Sequence, residues 1–168
     1  SYPISQYSDP GLEPPSSQLP LFTTLKNKRE LPITDERMTR FMISLNQGVE
    51  LVWHAFKDMV GGEIYVKKIP SMKIIDIANV IAPKAKLKII GIRPGEKLHE
   101  IMCPQDESHL TIEFKDYFVI QPTIQFSKPI TYFTSLENEN GKLVPKGFEY
   151  NSNSNKHFLN DIKLQELI

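Results

Sequence analysis

The chain has 168 residues, 40% of them hydrophobic and 24% charged, which is ordinary for one globular domain with an apolar core. Its 20 basic and 20 acidic side chains give a formal net charge of zero, which argues against a general nucleic-acid-binding protein. No apolar run reaches the roughly 18–20 residues that span a bilayer, and the N-terminus has no signal-peptide pattern. A single cysteine, Cys103, excludes an internal disulfide and fits a reducing compartment. We therefore expect a cytoplasmic domain without nucleic-acid or membrane partners, and its start at serine suggests a fragment.

The first 28 residues divide into an irregular segment and a short helix. Residues 1–16 contain four prolines and several serines but no hydrophobic period, so they are predicted to be irregular. From Ser17 to about Lys28, apolar side chains recur on one helical face, and the basic residues at the end suit the C-terminus of a helix dipole. A short helix is therefore predicted there.

A charged stretch leads from the extended piece Leu31-Pro32-Ile33 into the next helix. Ser44 and Gln47 form a capping box, which predicts a helix from residue 45 to Gly61-Gly62. Its apolar face consists of Leu45, Val49, Val52, Phe56 and Met59 or Val60. Arg40 lies just ahead of this helix, where free backbone N–H groups favour anions. The simpler interpretation of Arg37 and Arg40 is solvated surface charge.

The order of elements from residue 44 to residue 92 indicates an α/β fold. Residues 63–66 are predicted to form a strand, and Ser71 is predicted to cap a second helix that ends at Pro83. The apolar run from Leu87 to Ile92 is predicted to be another strand. Both strands are short and apolar, so we expect them to form a small, well-covered parallel pair.

The second of these strands ends in Arg93-Pro94-Gly95-Glu96. Proline fixes its own φ and biases the preceding residue toward an extended conformation, while glycine permits a tight turn. Arg93 and Glu96 are thus expected on a rigid corner. An arginine there offers a planar fork of donors to phosphate or carboxylate. A salt bridge between Arg93 and Glu96 or a neighbour is the simpler alternative.

The remaining chain is predicted to be less regular. Glu96 to Met102 should form a short helix, residues 106–109 a turn, and residues 110–114 and 117–120 a hairpin. After Gln121 the hydrophobic period is lost. The NSNSN stretch at 151–155 is predicted to be a flexible spacer, and residues 157–168 a terminal amphipathic helix.

Motifs for catalysis and metal binding are missing from the sequence. His99-Glu100-Ile101-Met102-Cys103 begins like the zinc motif H-E-x-x-H, but its fifth residue is cysteine, so no metal site is predicted. The glycines do not have the spacing of a dinucleotide-binding loop, and no tyrosine is followed four residues later by lysine. We therefore predict no catalytic residue in this chain.

Five blocks in order nevertheless resemble one family: LPITDERMTRF, GGEIYVKKIPSMK, IIGIRPGEKLHEIM, DESHL and FVIQPTI. They are similar to the C-terminal half of inverting UDP-N-acetylglucosamine 4,6-dehydratases of pseudaminic acid and related polysaccharide pathways, which are extended short-chain dehydrogenase/reductases. The resemblance runs from about Ser17 to the end and leaves residues 1–16 unassigned. It implies a UDP-sugar-binding domain at 17–150, followed by the spacer and terminal helix at 151–168.

The resemblance also implies a reaction, a cofactor and site residues. In that family an N-terminal Rossmann domain binds NADP and carries the catalytic residues. The reaction oxidises C4 of the sugar, eliminates water across C5 and C6, and returns the hydride to C6 with inversion at C5. Arg40 and Arg93 fall at positions similar to diphosphate-contacting arginines, and Glu96 at one expected to contact the nucleoside. Thr34 and Arg37 are expected to help shape the site.

This chain lacks the Rossmann half, so we expect that it binds a UDP-sugar but, taken alone, has no lyase activity and no cofactor. Three interpretations stay open at this point. The chain is the substrate-binding half of a truncated or split dehydratase that pairs with a Rossmann half or forms a homo-oligomer. Alternatively, it is a stand-alone UDP-sugar-binding module or an assembly partner of an intact dehydratase. A non-functional remnant is the third.

Overall fold

The structure is a computed structural model that describes residues 29–124, 132–135 and 138–159. The predicted irregular segment at 1–16, the predicted helix ending near Lys28 and most of the predicted terminal helix lie outside these residues. The described elements, in chain order, are β1 (Glu30–Ile33), β2 (Thr39–Phe41), α1 (Leu45–Asp58), β3 (Ile64–Lys67), β4 (Ser71–Lys73), α2 (Ile74–Ile81), β5 (Lys86–Ile89), β6 (Ile101–Cys103), β7 (Thr111–Glu113), β8 (Tyr117–Ile120), β9 (Lys142–Leu143) and β10 (Tyr150–Asn151). A short 3-10 helix, Gln105–Glu107, follows β6. This mixed content confirms the α/β class.

The described strands form one antiparallel sheet of four strands, in the order β3-β8-β7-β9, and three two-stranded pairs. The hairpin β7–β8 agrees with the prediction. The predicted parallel pairing of the strands at 63–66 and 87–92 is wrong, because β5 pairs in parallel with β1 whereas β3 pairs antiparallel with β8. Apolar runs mark strands, but the partner of each strand depends on contacts between distant parts of the chain.

Three groups of buried side chains hold the described elements together. Around β1, β4 and α2, the core is made of Leu31, Ile33, Met38, Met72, Ile74, Ile77 and Ala78. The β3-β8-β7 strands bury further apolar and aromatic residues on their two faces, including the fully buried Ile112. The first core fixes β1 against α2, and it thereby fixes where β1 and β5 end.

The capping box of α1 is confirmed. Ser44 Oγ accepts a hydrogen bond from the Gln47 N–H at 3.2 Å, and Gln47 Oε1 accepts one from the Ser44 N–H at 3.1 Å. The cap predicted for α2 is wrong, because Lys73 occupies its N-cap and Ser71 lies in β4, paired with Phe41 of β2. Ser71, which the local sequence suggests as the N-cap of α2, is therefore part of a strand.

Two further predictions for the second half of the chain are wrong. Residues 96–102 do not form a helix, because the Leu98 carbonyl accepts a hydrogen bond from the Thr39 N–H and residues 101–103 pair as β6 with β10. Residues 151–155 are not a flexible spacer, because Ser152 is fully buried and Asn155 donates to the Ile69 carbonyl at 2.8 Å. In both places, partners far away in sequence outweigh local preference.

Among the residues that the structure describes, no helix is long and apolar enough to cross a membrane.

Candidate functional site

The predicted corner lies at one edge of the parallel pair β1–β5. Because parallel strands end at the same edge, Thr34, which follows β1, and the loop after β5 come together there. The Ile90 N–H extends the pairing by donating to the Ile33 carbonyl at 2.8 Å. Ligands of α/β proteins commonly bind beyond the carboxyl ends of parallel strands, so this edge is a candidate binding site.

Glu96 braces the corner. The Glu96 N–H donates to the Arg93 carbonyl at 3.0 Å, and Gly95 supplies the turn with a φ of 82° that glycine tolerates best. The Glu96 carboxylate accepts from the Arg93 backbone N–H at 3.3 Å and from Thr34 Oγ1 at 3.4 Å. The predicted turn at residues 93–96 is therefore present, and Glu96 forms hydrogen bonds with its backbone and with Thr34.

The Arg93 side chain is exposed at this corner. Ion pairs between described residues do not include Arg93, so the alternative of a salt bridge to Glu96 finds no support in that part of the chain. An exposed guanidinium fork next to a half-buried carboxylate can bind a phosphate and a hydroxyl side by side. The corner thus combines a donor for anions with an acceptor for hydroxyl groups.

Arg40 reaches the same loop from β2. Its Nη1 donates to the carbonyls of Thr39 at 2.7 Å and Leu98 at 3.2 Å, and its Nη2 donates to the Lys97 carbonyl at 3.0 Å. Its Nε lies 3.8 Å from a carboxylate oxygen of Glu100, and its side chain is only 17% exposed. Most of its donors are occupied by the protein, so in this arrangement Arg40 anchors the chain directly after the corner.

We predict that Arg40→Lys lowers the free energy of unfolding by about 1–2 kcal/mol, because one ammonium cannot reproduce a planar fork that serves three carbonyls. Urea unfolding followed by circular dichroism measures this change. Lys97→Arg is a suitable control, because only the backbone carbonyl of Lys97 takes part in this contact. If Arg40→Lys is as stable as the original chain, the anchoring role is wrong.

Arg37 has a partner of its own and does not reach the corner. It forms a bidentate ion pair with Asp35, with Nε–Oδ1 at 2.9 Å and Nη2–Oδ2 at 2.8 Å, while its own N–H also donates to Asp35 Oδ1. These hydrogen bonds from Arg37 lower the pKa of Asp35 to about 2. Thr34, by contrast, is buried beside Glu96 and takes part in the corner as expected.

A buried network behind the corner was not predicted from the sequence. Thr39 Oγ1 lies 2.8 Å from His99 Nδ1 and 2.7 Å from Ser152 Oγ, and Ser152 Oγ donates to the Thr39 carbonyl at 3.2 Å. Since Ser152 has one hydroxyl proton, Thr39 must donate to Ser152, and His99 Nδ1–H must donate to Thr39. No local sequence motif predicts this network, because its members are up to 113 positions apart.

His99 and Cys103 do not form a metal site in this arrangement. His99 Nδ1 is engaged by Thr39, whereas Cys103 is fully buried in the strand β6, and burial raises the pKa of its thiol to about 12. Across residues 29–124, 132–135 and 138–159, no group of three or more potential ligands could hold a metal ion.

Comparisons with known proteins bear on this site. A family model described as "Polysaccharide biosynthesis protein" matches residues 14–122, which include Arg40, Arg93 and Glu96. The chain is 49% identical over 155 residues to UDP-N-acetylglucosamine 4,6-dehydratase (inverting) of Campylobacter jejuni, covering 90% of this chain and 46% of that protein. UDP-glucose 4-epimerase of Rickettsia massiliae is 32% identical over 157 residues, with 90% and 45% covered.

Among solved structures, the X-ray structure of Pen from Bacillus thuringiensis matches with a TM-score of 0.70 and 31% sequence identity. That match covers 89% of this chain and 44% of the other. The chain therefore spans about half the length of the relatives and of the solved structure that it matches.

Proposed function

Because this chain belongs to the family of polysaccharide biosynthesis proteins, we propose that it is the substrate-binding half of an inverting UDP-N-acetylglucosamine 4,6-dehydratase. The resemblance seen in the five sequence blocks is confirmed by identities of 49% and 47% to two such dehydratases. The fold class is confirmed as well, as a mixed α/β C-terminal portion of an extended short-chain dehydrogenase fold. The sugar nucleotide, the reaction and the partner are parts of the proposal.

The observation that carries the proposal is the corner at the end of β5. A UDP-sugar presents a diphosphate, which needs donors, beside a ribose whose hydroxyls need acceptors. Arg93 offers an exposed guanidinium for the diphosphate, and Glu96 offers a carboxylate held in place by Thr34 and by the Arg93 backbone. The same two groups on a flexible loop would lose more conformational entropy on binding, so a corner held by hydrogen bonds favours higher affinity.

Arg40 is proposed to support diphosphate binding indirectly, through the loop that carries Arg93. Its contacts with the carbonyls of residues 97 and 98 favour a positioning role, in which it fixes the loop that carries Arg93. Its positive charge also makes the electrostatic potential at the carboxyl edge of the β1–β5 pair more favourable for an anion. Direct contact with the diphosphate, as the family resemblance implies, would require Arg40 to release some of these carbonyls.

NADP, the cofactor that the resemblance implies, does not fit the residues present. The sequence has no glycine-rich dinucleotide loop, and β4 runs into α2 without a loop in which a pyrophosphate could lie. The cofactor is therefore proposed to bind the part of the longer relatives that this chain does not span. Hydride transfer and elimination need that part, while the residues described here bind and orient the UDP portion. The cytoplasmic location stays a prediction.

Calorimetry with UDP, UMP and UDP-N-acetylglucosamine tests the proposal. We expect binding of UDP in the micromolar range, weaker binding of UMP because it lacks the second phosphate, and little gain from the sugar. Incubation of the 168-residue chain with UDP-N-acetylglucosamine and NADP should give no 4-keto-6-deoxy product. Absence of UDP binding at millimolar concentration would contradict the proposed site. Product formation would contradict the proposal that this chain binds the substrate but needs the missing half for the reaction.

The second candidate, a stand-alone UDP-sugar-binding module or assembly partner, is favoured by the closed core around β1, β4 and α2, which the described residues build without another chain. A fusion protein separates the two candidates. In it, this chain replaces the aligned part of the Campylobacter jejuni dehydratase. Dehydratase activity of the fusion supports an enzyme half, whereas UDP binding without activity supports a binding module.

A further inference from the structure

Helix α1 turns its apolar side away from the protein. None of its 14 residues is buried, and Leu45, Trp53 and Phe56 are 83%, 64% and 67% exposed. These side chains, with Val49 and Val52, recur at the spacing of one helical face and form a continuous stripe, here called the α1 stripe. A surface helix normally places such a stripe on the core, so the orientation of α1 is the reverse of the usual one.

The side of α1 that does contact the protein carries polar groups. Asp58 accepts a hydrogen bond from the Tyr65 hydroxyl at 3.1 Å, and the His54 ring packs edge-on against Tyr117 with centroids 4.7 Å apart. These contacts fix the rotation of the helix on β3 and β8. The α1 stripe is therefore held outward by specific contacts on the opposite side.

The α1 stripe lines an open groove of about 760 Å³. Gly48 is one of its lining residues, and a Cβ at that position would meet no atom within 4 Å, so the backbone of a partner can approach closely there. The stripe contains no charged side chain. Large apolar surface that is contiguous and free of charge marks a site of protein association.

The lengths of the relatives indicate what covers this stripe. The dehydratase and the solved structure each align with about nine tenths of this chain, yet the aligned part is only 46% and 44% of their own length. The stripe lies inside the aligned part, so in those proteins more than half of the polypeptide is available to pack on it.

We propose that the α1 stripe is the docking surface for the other half of the enzyme, the α/β portion of the longer relatives that this chain does not span. This inference rests on the proposed function, because it takes that other half as the occupant. An apolar face that docks there would set the distance between the corner at Arg93 and the residues that carry out the reaction. A second copy of this chain is the competing occupant.

Selective cysteine labelling tests the docking surface in the fusion protein described above and in the 168-residue chain. Cys103 is fully buried, so a maleimide reports on a cysteine introduced elsewhere. Val52→Cys places a thiol in the α1 stripe, and Lys84→Cys places one on the exposed turn after α2 as the control. We expect Val52→Cys to react at least ten-fold more slowly in the fusion than in the 168-residue chain, and Lys84→Cys to react equally in both.

Equal reactivity of Val52→Cys in the 168-residue chain and in a fusion that unfolds cooperatively in urea would overturn the proposal. Slow labelling in the 168-residue chain, together with a dimer by light scattering, would also overturn it in favour of a second copy. Phe56→Glu gives a second measurement, since it should lower the melting temperature of the fusion but not that of the 168-residue chain. UDP binding is measured on the same samples, so a protected cysteine without UDP binding would count against the proposed function alone.

Discussion

Arg93→Ala is expected to weaken UDP binding about ten-fold or more. A charge-assisted hydrogen bond contributes about 1.5–3 kcal/mol, and about 1.4 kcal/mol corresponds to ten-fold in affinity. The Arg93 side chain is exposed and has no ion-pair partner among the described residues, so removing it should disturb the ligand contact more than the fold. Calorimetric titration of UDP into the variant measures the loss.

Arg37→Ala is the matched control for Arg93→Ala. It removes the same charge near the same edge of the β1–β5 pair, but its guanidinium is held by Asp35 in a bidentate ion pair. We expect less than a two-fold change in UDP affinity. Arg93→Lys should lie between the two, because lysine keeps the charge and loses the fork. Unchanged affinity in Arg93→Ala, or equal losses in both alanine variants, would contradict a specific role of Arg93.

Ser152→Ala is expected to lower the free energy of unfolding by about 2–4 kcal/mol, because it leaves buried polar groups of distant segments unpaired. The fully buried Ser152 hydroxyl accepts from the Glu100 N–H at 2.9 Å and from the Thr39 hydroxyl at 2.7 Å. It also donates to the Thr39 carbonyl. The substitution removes one oxygen and no carbon, so little packing is lost and the unpaired polar groups decide the size of the effect.

Urea unfolding compares Ser152→Ala with Ser154→Ala, which removes an exposed hydroxyl two residues further on. The control should change stability by less than about 0.5 kcal/mol. Because the network holds β2 against the segment after the corner, Ser152→Ala should also weaken UDP binding under conditions in which the variant is still folded. Equal stability of the two variants would show that the network contributes little.

Local signals predicted some elements well. The capping box at Ser44 and Gln47 predicted the start of α1, and the two short apolar runs at 110–114 and 117–120 predicted the hairpin of β7 and β8. These features depend on residues a few positions apart, so the energy that stabilises them is visible in a short window of sequence. The same holds for the corner, where proline and glycine constrain the backbone directly.

Signals that depend on distant partners were misjudged or missed. Ser71 and the segment at 96–102 have helical features, yet Ser71 pairs with β2, and residues 101 and 102 at the end of the segment belong to β6, which pairs with β10. The polar stretch at 151–155 has the composition of a spacer, yet Ser152 completes a buried network. The apolar period of α1 was recognised, but the sequence could not tell that its stripe faces outward.

The sequence by itself determined the family, the α/β class and the turn that presents Arg93 and Glu96. The family follows from the resemblance of five short blocks, whereas the class and the corner follow from residue types and spacing. Only the tertiary structure decided that β1, and not β3, is the partner of β5, that Glu96 holds the backbone instead of pairing with the Arg93 side chain, and that Arg40 anchors the loop behind it. The physical reason is that hydrogen bonds and burial between segments separated by dozens of residues depend on how the whole chain packs, which a local pattern does not encode.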